Sequence, residues 1–474
     1  MLLHLSIQDR YGLAKAIFHR EPSQAHYELL RVVGVEYLGG QMGEDGFISM
    51  FRNRLPAHLH AGALANYERT GNCNRFFFNH GEIDPTVEAG LIRALESRIE
   101  WAQSAGLHAA EELAFEACNK QLAMSCHPPS PELPFNYGDL VPLGFLLRAL
   151  NQSSRQAGKD AAGLLREKLL ASRQSRLWSF HTGRLITSTD SVLVLQALAD
   201  TEGVECLELF ADGFGGYYPQ LWSLQREPGR MRMDYSNAHW CQADFATTCL
   251  VRGLRAEANL PTLTSSQYLE DHFETRSGLY FANPYLTDFA LATALREDSA
   301  ASPLKRRLTS EILASMNEDY SFGNYDRALS TSLAILSLAA LGCRGRLVCL
   351  SQLRLLEMME PAGTWPECTP FYSTFLVNAS LQANLGEGLE TRKGSSDHLD
   401  VDGSRYELSL YVDKHRIIST SIAILALSEP CDPRQREIDG CKAGSAHQRY
   451  KSSSHADYIS NFALQPYVTT SSAQ

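Results

Sequence analysis

Three aspartates, Asp190, Asp244 and Asp288, each stand at or just before the start of a stretch that is apolar nearly all round. A carboxyl group in that place has two physical uses. It can cap a helix by accepting from the free N–H groups of the first turn. Desolvated at the mouth of an apolar cavity, it can instead hold or take a proton as acid or base. Trp240, Phe245, Tyr285, Phe289, Trp365 and Phe371 lie close to these or equivalent starts. Such rings either pack hairpins together or offer their faces to positive charge or sugar. Arg327 and Arg416 each lie eleven residues before a Leu that ends an apolar stretch. Both would reach the same rim, to grip a diphosphate or carboxylate or to pair with Asp326 and Asp413.

Metal chemistry has little to stand on. His239-Trp240-Cys241-Gln242-Ala243-Asp244 offers zinc-ligand types without a local zinc motif, and Cys118 lies far from Cys126-His127. An aspartate-rich DDxxD motif is absent. Asp400-Val401-Asp402-Gly403 superficially suits a calcium loop, but Ser409 stands where the closing acid belongs, so a solvated loop is expected. No G-x-S-x-G elbow, phosphate loop or dinucleotide fingerprint is present. The expectation is no cofactor, with Mg2+ entering only beside a diphosphate substrate.

The elements that position these residues repeat. Six segments align without gaps on a terminal small-residue-Leu pair: Thr189–Leu198, Phe245–Leu254, Leu286–Leu295, Leu329–Leu338, Tyr372–Leu381 and Ile418–Leu427. The intervals between their final leucines are 56, 41, 43, 43 and 46 residues. Seven residues before each final Leu stands Ser191, Thr247, Asp288, Thr331, Thr374 or Thr420, as a helix start requires. The segments lack a polar face and must be buried on all sides. Between them run amphipathic stretches such as Ser302–Asn317, and turns with Gly and aromatics such as Ser277–Phe281, Asp319–Gly323 and Ala362–Trp365. Alternating buried and amphipathic helices predict an all-α toroid, because a closed ring buries every inner helix without capping repeats. Val141–Leu150 predicts a seventh inner helix that lacks the hydroxyl pair. The expected domains are an N-terminal helical region over 1–135, the toroid over 136–430 and a Ser-rich tail over 431–474, in which Tyr458–Tyr467 is a docking segment.

Across Pro142 to Leu427 this pattern resembles the terpenoid-cyclase and protein-prenyltransferase toroid superfamily. The resemblance rests on Glu44-Asp45-Gly46-Phe47, Gly363-Thr364-Trp365 and the six helix starts. It implies an isoprenoid, neutral or a diphosphate, in a central cavity. In proton-initiated (class II) cyclases, including the squalene-hopene type, one inner helix opens with D-x-D-D/T-T/A and the middle Asp protonates an alkene or epoxide. Ser188-Thr189-Asp190-Ser191-Val192 resembles that opening, with Asp190 in the middle place and Ser188 where the first Asp would stand. Asp244-Phe245-Ala246-Thr247-Thr248 keeps the first Asp and has Ala246 in the acid's place. Two other classes compete: a carbohydrate-active toroid using Asp244 and Asp288 with Trp240 and Tyr285 as sugar platforms, and a non-catalytic toroid binding a lipid or protein.

Composition sets the outer bounds. The 474 residues are 44% hydrophobic and 20% charged, an ordinary globular balance. A net charge of −11 argues against nucleic acid and anionic membranes as general partners. The most apolar stretch, Thr331–Cys343, falls short of a membrane span, and Met1–Arg10 is too short for a signal core, which leaves only peripheral membrane contact open. Eleven cysteines without a CxxC pair suggest reduced thiols and a cytoplasmic setting.

Overall fold

The computed structural model describes residues 85–120, 122, 124–127, 140–179, 186–220, 243–298, 301–376, 398–401, 404–432 and 447–463. In chain order the elements are α1 Pro85–Asn119, β1 Ser125–His127, α2 Leu140–Leu150, α3 Gln156–Ala171, α4 Ser188–Leu198, α5 Thr201–Cys206 and α6 Phe245–Glu257. There follow α7 Ser266–Asp271, α8 Pro284–Leu295, α9 Ser302–Ala314, α10 Arg327–Ala340 and α11 Arg346–Glu357. Next come β2 Phe371–Leu376, β3 His398–Val401, β4 Ser404–Val412 and α12 Ile417–Ser428. The chain groups into two units. The smaller holds 85–104, 344–357 and 431–432 of the described residues; the larger holds the rest. None of the described helices is long and apolar enough to cross a membrane.

The larger unit is built on a ring. Helix α2 packs on α4, α4 on α6, α6 on α8, α8 on α10, α10 on α12, and α12 back on α2. The inner helices run parallel. Thr189 at the start of α4 meets Thr247 at the start of α6, Asn283 before α8 bonds Ser330 of α10, and Asn151 after α2 bonds Ala197 of α4. Nearly every residue of these helices is buried, as their lack of a polar face demands.

Four of the six inner helices hold the turn that precedes them through a hydroxyl near their start. The backbone N–H of Trp178 donates to Ser191 Oγ at 2.9 Å and that of Tyr217 to Thr248 Oγ1 at 2.9 Å. The N–H of Phe322 donates to Thr331 Oγ1 at 3.0 Å and that of Trp365 to Thr420 Oγ1 at 3.2 Å. All four aromatic residues are fully buried. In α8 a carboxylate takes the hydroxyl's place, and Asp288 Oδ1 accepts from Arg276 Nε at 2.9 Å. Gly363, with φ +80°, allows the Trp365 turn, since a Cβ there would lie 2.8 Å from Ala105 O.

The sequence-based expectation needs correction at Tyr372–Leu381. Phe371–Leu376 is a strand, and 377–381 lie outside the described residues. A short run of aromatic and β-branched residues satisfies either period, and pairing with β4 decides it. The inner helix forecast at Val141–Leu150 completes the six-membered ring instead. The larger unit is therefore a toroid with an added antiparallel sheet, in which β4 lies between β2 on one edge and β1 and β3 on the other. The expected loop around Asp400 is the β3–β4 hairpin, with Asp400 opposite Arg405. The reduced-thiol expectation also fails in part, because Cys349 and Cys431 form a disulfide across 82 residues, a pairing no local spacing reveals. In the tail, Tyr458, Ile459 and Ala463 are fully buried against Ala282 and Tyr372.

Replacing Thr331 by Val removes the acceptor of a buried N–H and should cost about 1–3 kcal/mol in urea unfolding, while Thr331→Ser should cost much less. Equal losses in the two variants would contradict the clasp.

Candidate active site

Helix α4 begins with a cap and an acid made by the same residues. Thr187 Oγ1 accepts from Asp190 N at 3.2 Å and donates its own proton to Asp190 Oδ2. Asp190 is thereby held in the first turn, only 9% exposed. It lines a cavity of about 110 Å³ together with Thr187, Thr189, Leu193, Gln220, Tyr280, Phe371 and Tyr411. That space takes several waters or one end of a hydrocarbon chain.

The sheet supplies part of the lining. Phe371 and Tyr411 are cross-strand partners in β2 and β4. Tyr280 reaches the cavity from the turn before α8, which Asp244 holds through Leu279 N to Oδ1 at 2.8 Å. The Tyr280 N–C=O unit is also tied to the sheet, since Tyr372 N donates to Tyr280 O at 2.9 Å.

Burial pushes the Asp190 carboxyl up to about 6, against the opposing hydrogen bond from Thr187. Burial, with Asp190 and Asp244 nearby, raises the Tyr280 phenol well above its ordinary value, so it stays neutral. The site therefore combines a carboxyl that keeps its proton to mildly acidic pH with aromatic and aliphatic walls.

The other forecast residues are placed differently. Asp244 caps α6 through Thr247 N at 2.7 Å and is not among the cavity's described lining residues. Asp288 belongs to a buried ion-pair cluster with Arg276, Arg449 and Tyr450. Burial disfavours its charge, but the guanidiniums of Arg449 and Arg276 outweigh that and hold the carboxyl below its usual range. Arg327 pairs with Asp319 at 2.6 Å and Arg416 with Glu360 at 2.6 Å, not with the expected Asp326 and Asp413. Neither arginine is among the cavity's described lining residues.

Of the forecast aromatics among the described residues, Phe371 alone lines the cavity. Phe245 opens α6 and is buried, and Trp365 fills the space beside Gly106 and Ile424. Tyr285 meets Phe322 edge-on and Tyr450 at a tilt, with its hydroxyl on Ser315. Phe289 lies beneath the guanidinium of Arg148, which crosses from α2 on the opposite side of the ring and also bonds Gln196. Trp240, the rest of its His239–Cys241 cluster and Glu44–Phe47 lie outside the described residues. Among the described residues no group of three His, Cys, Asp or Glu side chains could hold a metal. Sequence reasoning missed Tyr280 and Tyr411. The first stands in a turn already singled out, and the second in the alternating run Ser404–Val412.

No family model and no curated protein matches the sequence. Solved structures do match in shape. The apo type II terpene cyclase MstE from Scytonema superposes with a TM-score of 0.50 at 15% identity, over 69% of this chain and 97% of that one. An arginine-to-alanine variant of MstE, in complex with its substrate geranylgeranyl dihydroxybenzoate, gives 0.50 at 14% identity over 70% and 97%. At this identity the likeness carries the fold: the chain shares the toroid of type II terpene cyclases.

The folded Asp190 carboxyl keeps its proton to about pH 6, whereas the unfolded one releases it near 3.8. Its contribution to stability is thus full below 3.8, is lost as pH rises through 6, and stays lost above. Asp190→Asn should raise unfolding free energy at pH 8 by up to about 3 kcal/mol, with the gain shrinking toward pH 4.5. Equal destabilisation of that variant at both pH values in urea melts would contradict the assignment.

Proposed function

We propose that this chain is a terpene-cyclase-like enzyme that binds an apolar isoprenoid in the ring cavity and starts its cyclisation or rearrangement by proton transfer from Asp190. The observation that carries the reading is a proton-holding carboxyl on the wall of an apolar, aromatic cavity. Because Thr187 donates to Oδ2, that oxygen is the acceptor of the pair and Oδ1 is left to carry the proton. Transfer to an alkene carbon makes a carbocation, and the carboxylate left behind keeps the Thr187 hydroxyl bond. Tyr280, Phe371 and Tyr411 present aromatic faces that stabilise positive charge without attacking it. Such a reaction would class the enzyme as an isomerase or lyase. A diphosphate head group, with Mg2+ as counter-ion, would call on Arg327 and Arg416 to exchange their present carboxylate partners.

The carbohydrate reading loses support from the same geometry. Asp288 is held by two guanidiniums, and the Tyr285 ring is buried among other aromatics rather than offered as a platform.

The test is incubation with C15, C20 and C30 isoprenoids, with and without diphosphate, followed by mass spectrometry. Wild-type protein should form isomeric products and Asp190→Asn none. Since the protonated acid is the active form, kcat/KM should fall as pH rises above about 6. No conversion by the wild type, or equal conversion by Asp190→Asn, would overturn the proposal.

A further inference from the structure

Beside the acid, the cavity wall carries a second group with a defined proton direction. Thr189, the neighbour of Asp190, lines the cavity, and its Oγ1 lies 2.8 Å from Thr247 Oγ1 on α6. Thr247 Oγ1 in turn donates to Asp244 Oδ2 at 2.6 Å. A hydroxyl has one proton. Thr247 spends its own on Asp244, so the Thr189–Thr247 bond can exist only with Thr189 as donor. Thr189 therefore directs its proton toward Thr247 and has only lone pairs left to offer to the cavity that its residue lines. Acid and base would then stand side by side on one wall, one able only to give a proton through Oδ1 and the other able only to take one.

Resting on the function proposed above, we infer that Thr189 is the catalytic base that ends the reaction and that Thr247 and Asp244 carry its proton away. A C–H bond next to the cationic carbon breaks, and its electron pair becomes the new double bond. The proton goes to Thr189 Oγ1, the Thr189 proton passes to Thr247, and the Thr247 proton passes to Asp244 Oδ2. Cation and carboxylate become alkene and carboxylic acid, and charge balances. Asp244 already accepts from Thr247 N and Leu279 N besides the hydroxyl. A carbocation is so strong an acid that a weak base suffices. Solvent exchange between turnovers restores Asp190 and Asp244.

Thr189→Val keeps the shape and removes the oxygen; Thr189→Ser keeps the oxygen. With wild-type protein, substrate loss and product ratios are measured together by gas chromatography–mass spectrometry. In Thr189→Val the share of the main alkene among the products should fall at least about tenfold in favour of water-quenched alcohols or other alkene isomers. Thr189→Ser should restore the wild-type ratio, and Thr247→Val, which does not line the cavity, should reproduce the Thr189→Val ratio. An unchanged ratio in Thr189→Val or Thr247→Val, or the same altered ratio in Thr189→Ser and Thr189→Val, would overturn the relay alone. Absence of any conversion by the wild type would overturn the cyclase reading and the relay with it.

Discussion

The ring depends on one recurring hydrogen bond, from a buried aromatic turn to a hydroxyl in the first turn of an inner helix. Trp178–Ser191, Tyr217–Thr248, Phe322–Thr331 and Trp365–Thr420 are four copies of it. A backbone N–H beside a fully buried side chain must find a partner, and the inner helix supplies one where its own capping needs have already placed hydroxyls. The bond fixes where each hairpin's turn sits over the helix start. It thereby fixes the rim from which Asp190 enters the cavity. The α8 repeat shows the same constraint met by charge, because Asp288 holds the Arg276 of the turn before it. The cost of burying that carboxylate is offset by a second guanidinium from the C-terminal segment, Arg449. A residue with the look of an acid is thus a structural anchor.

What makes the site different from the rest of the ring is the chain between α10 and α12. It contributes strands, and those strands bring Phe371 and Tyr411 into the same cavity lining as Asp190. Two backbone bonds, Ala282 N to Pro370 O and Tyr372 N to Tyr280 O, tie the sheet to the turn before α8. Carboxyl, phenol and aromatic walls are therefore set by elements far apart in sequence. Their combined effect is desolvation, which keeps Asp190 neutral up to about pH 6, well above the range in which a surface aspartate loses its proton.

Much of this was legible in the sequence because a closed ring imposes period and composition together. The hydroxyl starts and all-apolar bodies of α4, α6, α8, α10 and α12 could be counted, and Asp190 stood out by its place in them. The strand at Phe371–Leu376 was not legible, since its side-chain types satisfy a helix start as well as a strand and its partner lies about thirty to forty residues on. Nor were the roles of Asp244, Asp288, Arg327 and Arg416, which differ only in what each finds within hydrogen-bond reach. Local type marks a candidate; the third dimension decides whether its charge is free or spent.

The central claim is that Asp190 is an acid that stays neutral up to about pH 6 in a largely apolar cavity, and its own titration tests that most directly. Carbon-13 labelling of aspartate carboxyls, with the Asp190 signal assigned as the one missing from Asp190→Asn, gives its midpoint separately from that of Asp413, which burial also pushes to about 6. A midpoint near 6 for the Asp190 signal is the result expected. A midpoint at or below 3.8, the ordinary value, would show a solvated or well-paired carboxylate and contradict the account.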